Sequence, residues 1–449
     1  MAFNQINTKT DKNNSTPGFD RRYWTAGFHQ PSSNSFLQHI LVKLVCIAYL
    51  SIVGILHLAL SLRLRKKPTD KSHEEGITVF AIGPFFSENW SMAHMEALCK
   101  ADIVKTVHLF TPARYKPIEK LQYVTHQPRA AAWFGSGVAR ALSAFRLAIK
   151  IRPNLVIGYH LPWNGLISLL VAKSIGSKAV YFSVGGPPEI IGGGIYSEHP
   201  LFSRLRREDP YIERLLISLL RKFDGILTMG TRSQNFFRNF FDTIPIVPLA
   251  VGINDRRFSS DRRRNGSVVE FDLVSVGRLS KIKRIDKFLQ IIARLAENGT
   301  IVRAAIVGDG EQMDRLRTLA VDLQIVDKVR FLGWIDNVEE ILTHSKIFVM
   351  TSSSEGLPHS LIEAMLTGLP AIVPQVGEIG DLVKDKSNGH VVANIDEFVD
   401  RISTLLASDS MLAQFGVNAR TSALKYTIDP RIDIWNNTLE RLFPTQRLN

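Results

Sequence analysis

The chain has 449 residues, of which 45% are hydrophobic and 22% charged. This length predicts two or three globular modules and excludes a peptide-sized or intrinsically disordered protein. Because long apolar segments do not recur along the chain, a polytopic transporter is excluded as well. The two cysteines, Cys46 and Cys99, are too few for a disulfide framework, so a reducing compartment fits best.

The net charge of +13 favours anionic partners. Phospholipid, a nucleoside diphosphate and nucleic acid are all anionic. Nucleic acid rests on the charge alone, because no motif interleaves aromatic residues with the basic clusters. The charge does not choose among these partners. An anionic membrane surface is an expected partner, and nucleic acid is not.

The beginning of the chain predicts a disordered leader over residues 1–35 and a membrane-anchoring helix over residues 36–67. The stretch 44–62 holds one histidine, His57, and no Asp, Glu, Lys or Arg. As a helix it measures roughly 28 Å, close to a bilayer core, and a basic run follows at 63–67. The helix can span the membrane, lie flat on it or belong to a core. The positive-inside rule places the rest of the chain at the cytoplasmic face of the cell membrane, and no predicted sheet needs this helix.

Residues 76–248 and 249–425 repeat one pattern of short β-branched runs, small polar turns and amphipathic helices. That alternation predicts an α/β fold with two doubly wound, parallel-sheet domains. A ligand crevice is expected where the carboxyl ends of the two sets of strands face each other. Residues 426–449 are predicted to form a helix that packs back across the domains. The predicted strands are 77–82, 104–110, 155–159, 179–183, 225–229, 271–276, 302–307, 329–331, 347–350 and 371–373.

Two segments of the second half follow predicted strands and carry residues suited to an anionic ligand. After the strand 271–276, Arg278 and Lys283 precede a helix, where cations and free N–H groups can clamp neighbouring phosphates. Surface cations near a loop are the alternative interpretation. After the strand 347–350, Gly356 permits close backbone approach, and Glu363 is a lone carboxylate among apolar neighbours. A ribose diol, an ion pair or a backbone cap can satisfy it.

These segments, with the glycine turn 308–310, the run 331–334 and the spacing of Glu355 and Glu363, resemble the retaining family-four glycosyltransferases. The resemblance implies two Rossmann-like domains in the arrangement called GT-B, the second of which binds a nucleotide-sugar donor. It implies no metal and no cofactor other than that donor. Glu355 is expected at the transferred sugar, with a catalytic role. The expected donor-binding residues are Arg278 and Lys283 at the diphosphate, Glu363 at the ribose, and Gly308, Gly356 and Leu357 around them.

Two positions depart from the family pattern near the expected donor. Arg284 follows the lysine where a glycine is usual, and Glu378 replaces the second glycine of a pair. The first half resembles the family less. There His160, directly after the strand 155–159, is the catalytic candidate, although a lone histidine is also a common structural residue.

These observations together predict a membrane-attached glycosyltransferase of polysaccharide or glycolipid biosynthesis. It would move a sugar from a nucleotide-diphosphate donor to a lipid-linked glycan acceptor, with retention of anomeric configuration. Fixed cations and helix amino termini can stabilise the departing diphosphate. The alternatives are an epimerase or phosphorylase on the same fold and a catalytically inactive membrane scaffold.

Overall fold

The structure of the chain is a computed structural model that describes residues 36–63, 76–85, 87–111, 113–125, 131–197, 199–258 and 269–444. The leader predicted over 1–35 and most of the basic run 63–67 lie outside the described residues. Two parallel sheets, each covered by helices, make up the described part of the chain. The predicted α/β class with two Rossmann-like, doubly wound domains is confirmed.

The first sheet has seven strands in the order β3-β2-β1-β4-β5-β6-β7, all parallel. Its central strands are buried on both faces, which is why they read as almost continuous apolar runs. The helices of this domain are α1 Phe36–Arg63, α2 Glu88–Lys100, α3 Ala131–Ile151, α4 Leu166–Ile175, α5 Pro210–Leu220 and α6 Thr231–Arg238. The strands are β1 Ile77–Ile82, β2 Val104–Thr111, β3 Leu121–Thr125, β4 Leu155–Tyr159, β5 Lys178–Ser183, β6 Gly225–Thr228 and β7 Ile246–Pro248.

The second sheet has six parallel strands in the order β10-β9-β8-β11-β12-β13. Its strands are β8 Phe271–Val276, β9 Ala304–Val307, β10 Val329–Gly333, β11 Ser345–Val349, β12 Ala371–Pro374 and β13 Gly389–Val392. Its helices are α7 Ile285–Glu297, α8 Met313–Asp322, α9 Val338–Thr343, α10 His359–Leu366, α11 Ile379–Leu382, α12 Ile395–Leu406 and α13 Asp409–Ala423, and α14 Ile428–Leu442 ends the described chain.

The strand order reverses between β1 and β4 in the first sheet and between β8 and β11 in the second. Ligands of doubly wound folds bind outside the carboxyl ends of the strands at such reversals. The loops that leave these four strands therefore form the walls of the expected crevice. The sequence located each of those strands, whereas it missed the edge strands β3, β7 and β13.

The last helix, α14, contacts the first domain. Its Asn436 Oδ1 accepts from the Asp102 backbone N–H at 2.9 Å, and its Nδ2 donates to the Asp102 carboxylate at 2.8 Å. Trp435 is buried in the core that both domains share. This helix thus ties the end of the chain to the sheet at its beginning.

Helix α1 packs along the first domain, against α4 and α5. Cys46, Leu50 and Val53 are buried in the same core as those helices. Lys43 Nζ lies 2.7 Å from the carboxylate of Asp209, whose own oxygen caps α5. The sequence predicted an anchor that no sheet needs, and it did not predict this contact with the first domain, because hydropathy reports that a segment avoids water but not what it packs against.

Candidate active site

Lys283 and Glu355, the two residues expected at the diphosphate and the transferred sugar, lie together at the carboxyl ends of β8 and β11. Lys283 Nζ is 2.6 Å from Glu355 Oε1, and the two side chains are 24% and 10% exposed. A short 3₁₀ turn, Lys281–Lys283, delivers the lysine. Arg278 is exposed on the same loop. The arrangement offers positive charge for a phosphate beside a carboxylate that can respond to charge developing next to it.

The two loops that carry this pair are hydrogen-bonded to each other. The Ser353 N–H donates to the Ile282 carbonyl at 2.8 Å, and the Thr351 hydroxyl donates to the Arg284 carbonyl at 2.8 Å. These bonds fix the lysine loop against the glutamate loop before any ligand arrives. Charged groups held in this way lose little energy to reorganisation during a reaction.

Arg284 adopts the backbone conformation for which a glycine is usual at this position. Its φ of 49° and ψ of 42° are left-handed, a conformation that glycine adopts without steric cost. The guanidinium of Arg284 pairs with Asp286, with an Nη2 to Oδ2 distance of 2.9 Å. The arginine therefore keeps the family's turn, and its side chain is committed to the start of α7.

Gly308 and Gly356 sit where chain segments approach too closely for a side chain. A Cβ atom on Gly308 would stand 2.0 Å from the carbonyl oxygen of Gly277, so it packs the loops after β8 and β9 together. A Cβ on Gly356 would stand 2.4 Å from the carbonyl oxygen of Val184 in the first domain. Leu357 is buried directly behind it. These glycines permit close packing at the crevice, and Gly356 also permits the two domains to touch.

Glu363 lies one helical turn into α10 and is 8% exposed. Among the described residues none donates a hydrogen bond to its carboxylate, so neither an ion pair nor a backbone cap satisfies it. Burial raises the pKa of Glu363 to about 7, even though the charge of Arg257 acts in the opposite direction. The side chain lines a cleft together with Asn89 of the first domain and Asn254 of the segment that follows β7. A buried carboxyl without a partner that faces a cleft is poised for a hydroxyl-bearing ligand.

His160 lies at the carboxyl end of β4, with a positive φ of 65° that is uncommon for a residue other than glycine. Its Nδ1 is 2.9 Å from Glu189 Oε1. The Glu189 carboxylate also accepts from the Leu161 N–H, from the Tyr181 hydroxyl at 2.8 Å and from the Gly185 N–H at 2.8 Å. Sequence reasoning found the histidine and missed the glutamate that orients it.

Glu189 is 3% exposed yet charged. Burial alone would raise its pKa, but His160 and the hydrogen bonds from Leu161 and Tyr181 outweigh burial and hold the pKa below its usual value. The signal available in the sequence was a single carboxylate inside the apolar, glycine-rich stretch 187–194. A buried charge at such a place requires several donors. Two of them follow β4, and the other two come from β5 and the loop after it.

His94 of α2 and His359 of α10 meet across the two domains, with ring centroids 5.6 Å apart. Burial lowers the pKa of His359 to about 4, and the charge of Lys283 adds to that effect. Burial likewise holds the pKa of His94 well below its usual value. Neither ring nitrogen of His94 has a hydrogen-bond partner among the described residues. Sequence reasoning assigned no role to either histidine, because the pair exists only once the domains meet.

Glu378 points away from the expected donor and into the first domain. Its carboxylate accepts from the Ser233 N–H at 2.7 Å and from the Arg232 N–H at 3.0 Å. Next to it, Asp381 accepts from the Thr231 N–H at 2.8 Å. Two carboxylates of the second domain therefore cap the amino terminus of α6 in the first.

No three His, Cys, Asp or Glu side chains converge on a metal-sized site within the part of the chain that the structure describes. Metal independence of the chemistry stays a prediction. It rests on the cations that the donor loop provides, Arg278 and Lys283.

The strand orders, the crevice and the two motif loops define a GT-B fold. Similar solved structures include Anabaena HepE in complex with UDP-glucose, with a TM-score of 0.61 at 16% identity, covering 81% of this chain and 100% of that one. The sequence model of the family described as glycosyl transferases group 1 matches residues 259–422. The second domain thus matches the group 1 glycosyltransferase family, and the resemblance that the sequence indicated is confirmed.

Two curated relatives each match part of the chain. An uncharacterized glycosyltransferase of Haemophilus influenzae is 28% identical over 219 residues, which cover 48% of this chain and 61% of that protein. The Escherichia coli UDP-Gal:alpha-D-GlcNAc-diphosphoundecaprenol alpha-1,3-galactosyltransferase is 31% identical over 169 residues, covering 36% of this chain and 43% of that protein. The chain spans about half the length of the curated relatives it matches.

Proposed function

We propose that this protein is a glycosyltransferase that moves a sugar from a nucleoside-diphosphate donor to a lipid-linked glycan at the cytoplasmic face of a membrane. The observation that carries the proposal is the Lys283–Glu355 pair at one switch point and the His160–Glu189 pair at the other. A cation beside a carboxylate, with an oriented imidazole on the opposite domain, suits the departure of a diphosphate from an anomeric carbon.

The donor half of the proposal assigns one task to each side chain. Lys283 and Arg278 neutralise the diphosphate, whose negative charge increases as the glycosidic bond breaks. Glu355 lies against the sugar and favours the positive charge that develops at the anomeric carbon. Glu363 accepts the two ribose hydroxyls, which would supply the hydrogen bonds that its carboxylate lacks. The donor is a substrate here, and no further cofactor is required.

The acceptor half is assigned to the loop after β4. Glu189 pairs with Nδ1 of His160 and so fixes the orientation of the ring. The oriented imidazole would contact a sugar hydroxyl within the crevice. Because its pKa is about 4, His359 is uncharged near pH 7. It therefore adds no positive charge beside Lys283 at the phosphates.

The lipid-linked acceptor and the retention of configuration are the finer parts of the proposal. The acceptor is supported by the exposed apolar face of α1 and by the polyprenyl diphosphate acceptor that the name of the Escherichia coli relative specifies. Retention follows from the family resemblance. Synthesis of polysaccharide or glycolipid is the process that this chemistry fits.

A panel of nucleotide sugars tests the donor half, since a ligand that binds only the folded state raises the melting temperature. One or a few donors should stabilise the wild type, and Lys283→Gln should abolish that shift. Glu340→Gln, an exposed surface acid, should retain it. If no nucleotide sugar stabilises the wild type, the proposal fails.

Product analysis with the selected donor tests the reaction. With a lipid-linked glycan present, NMR of the product should show the anomeric configuration of the donor. An epimerase would change the donor without any acceptor, and a phosphorylase would require inorganic phosphate. A scaffold without activity would bind the donor and leave it unchanged.

A further inference from the structure

Helix α1 has one face in the first domain and the other in solvent. Cys46, Leu50 and Val53 are at most 4% exposed, and the helix is anchored at Lys43 by Asp209. The opposite face is apolar and 45–66% exposed. It comprises Leu41, Leu44, Val45, Ile52, Ile55, Leu56, Leu58 and Leu62.

Helix α3 adds to the same side of the domain, because α1 and α3 both pack on α4. Trp163, in the turn before α4, lies between them. Its ring stacks on Tyr49 of α1 at a centroid distance of 5.6 Å, and Gly137 of α3 lies against its other edge. Among the side chains of α3 that the structure describes, the exposed large apolar ones are Val138, Leu142 and Ile149, which are 47–59% exposed. We call the exposed apolar residues of α1 and α3 the apolar face.

The charges that α1 and α3 themselves carry have one sign. Neither α1 nor α3 contains an Asp or Glu in its 28 and 21 residues. Arg146 and Lys150 are exposed on α3. Lys173 and Lys222 lie near His57 at the other end of α1, where they add to the effect of burial in lowering its pKa to about 4. A rim of cations around an apolar surface complements an anionic lipid bilayer.

We propose that the apolar face of α1 and α3 lies in one leaflet of an anionic bilayer, with α1 parallel to the membrane plane and not across it. Residues 39–62 are long and apolar enough to span. However, their inner face is occupied by the domain from Lys43 to His57, and that domain brings Asp209, Lys173 and Lys222 beside the helix. A spanning helix would have to take those charges into hydrocarbon or leave its core.

This placement sets the membrane beside the acceptor side of the crevice. The Tyr49 hydroxyl of α1 donates to the Pro162 carbonyl at 2.8 Å, two residues after His160. The membrane-facing helix is thus bonded to the turn that follows the histidine. The inference concerns the lipid surface alone and holds whether or not the proposed reaction is correct.

A vesicle-binding experiment with the full chain tests the apolar face. The double variant Leu142→Glu with Ile149→Glu alters α3, which is not the candidate span. Its binding to vesicles of phosphatidylglycerol and phosphatidylcholine should fall at least about tenfold, because two apolar side chains no longer enter the bilayer and two added carboxylates repel the anionic lipid. The matched control, Val321→Glu with Val417→Glu, alters equally exposed apolar residues of the second domain and should bind like the wild type.

A topology experiment separates the two orientations. With α1 in one leaflet, tags at the amino and carboxyl ends of the full chain are accessible on the same side of sealed membrane vesicles. Tags on opposite sides overturn the proposal. Equal binding by the α3 variant and its control also overturns it, provided that circular dichroism shows both to be folded.

Discussion

Glu378 and Ser233 join the two domains: the Ser233 N–H donates to Glu378 Oε1 at 2.7 Å, and the serine hydroxyl donates to the same oxygen. The helix that begins beside Ser233 belongs to the first domain, and the carboxylate that caps it belongs to the second. Exposed α-helix ends are normally capped by their own chain segment or by water. Here the cap is complete only when the domains are in contact.

Replacing Glu378 with alanine should therefore weaken both the helix and the domain contact. We expect a loss of roughly 1–2 kcal/mol in the free energy of unfolding, the usual cost of a lost cap. Small-angle X-ray scattering should also show a larger radius of gyration. Glu397→Ala removes a cap within the second domain alone and should leave the radius unchanged. An unchanged radius for both variants would refute the coupling.

The pH dependence of stability should reveal Glu363. Its pKa is about 7 in the folded protein, against an ordinary value of 4.5, so the folded state binds this proton more tightly than the unfolded chain. The contribution of Glu363 to the free energy of unfolding is complete below about pH 4.5 and is lost as the pH rises through 7. The change amounts to about 3 kcal/mol. In chemical denaturation, the free energy of unfolding of Glu363→Gln should therefore fall less between pH 4.5 and 7 than that of the wild type. Glu340→Gln should show the same fall as the wild type. If the free energies of unfolding of Glu363→Gln and the wild type change with pH in the same way, Glu363 does not have the raised pKa.

Much of the fold follows from local sequence. The strands β1, β4, β8 and β11 are mostly apolar, β-branched runs that end in small or polar turns, and such runs indicate a parallel sheet without knowledge of any distant residue. The Lys283 and Glu355 loops could be found for the same reason, since each follows its own strand. That the two side chains are in contact required the strand order.

Other features depend on contacts between distant segments. Nothing near Glu378 in the sequence indicates a helix 145 residues earlier, and nothing near His94 indicates His359. The docking of α1 was not predicted for a related reason. Its buried face mixes His39, Lys43 and His57 with apolar residues, and a helix that lies flat on a membrane has the same partly polar stripe. Pattern analysis cannot then tell a lipid from a protein neighbour.

Activity should survive removal of divalent metals. Arg278 and Lys283 carry the positive charge that the diphosphate needs, a task that a bound metal performs in other enzymes. Turnover in excess EDTA should equal turnover in magnesium within a factor of about two. A loss of activity that magnesium or manganese restores would show that the cations are insufficient.

Glu363→Gln and Glu355→Gln should fail in different ways. A ribose contact is the same in the ground and transition states, so Glu363→Gln should mainly raise the donor KM, by an amount equivalent to roughly 1.5–3 kcal/mol. Glu355 acts where charge develops, so Glu355→Gln should lower kcat more than it weakens donor binding. Steady-state kinetics at pH 8 measure both, with Glu340→Gln as the control. Unchanged kinetics per folded molecule would defeat the site assignment.

Glu189 offers the sharpest test of the acceptor side. Its carboxylate accepts four hydrogen bonds, and a glutamine in its place can accept through only one oxygen while its NH₂ group opposes donors. Glu189→Gln should therefore cost about 1–3 kcal/mol of stability and leave His160 unoriented. If the histidine acts on the substrate, kcat should fall at least tenfold and the pH profile of kcat should shift, whereas donor-induced stabilisation should stay close to that of the wild type.

Asp224→Asn is the matched control, because Asp224 also accepts a backbone N–H in the first domain, at 2.8 Å from Ala179, and lies away from the crevice loops. It should lose some stability and keep its kcat and pH profile. A Glu189→Gln variant whose kcat per folded molecule matches that of Asp224→Asn would show that the glutamate serves the fold alone. The double variant Glu189→Gln with His160→Ala tests whether the glutamate acts through the histidine. If it does, kcat of the double variant should equal that of His160→Ala alone.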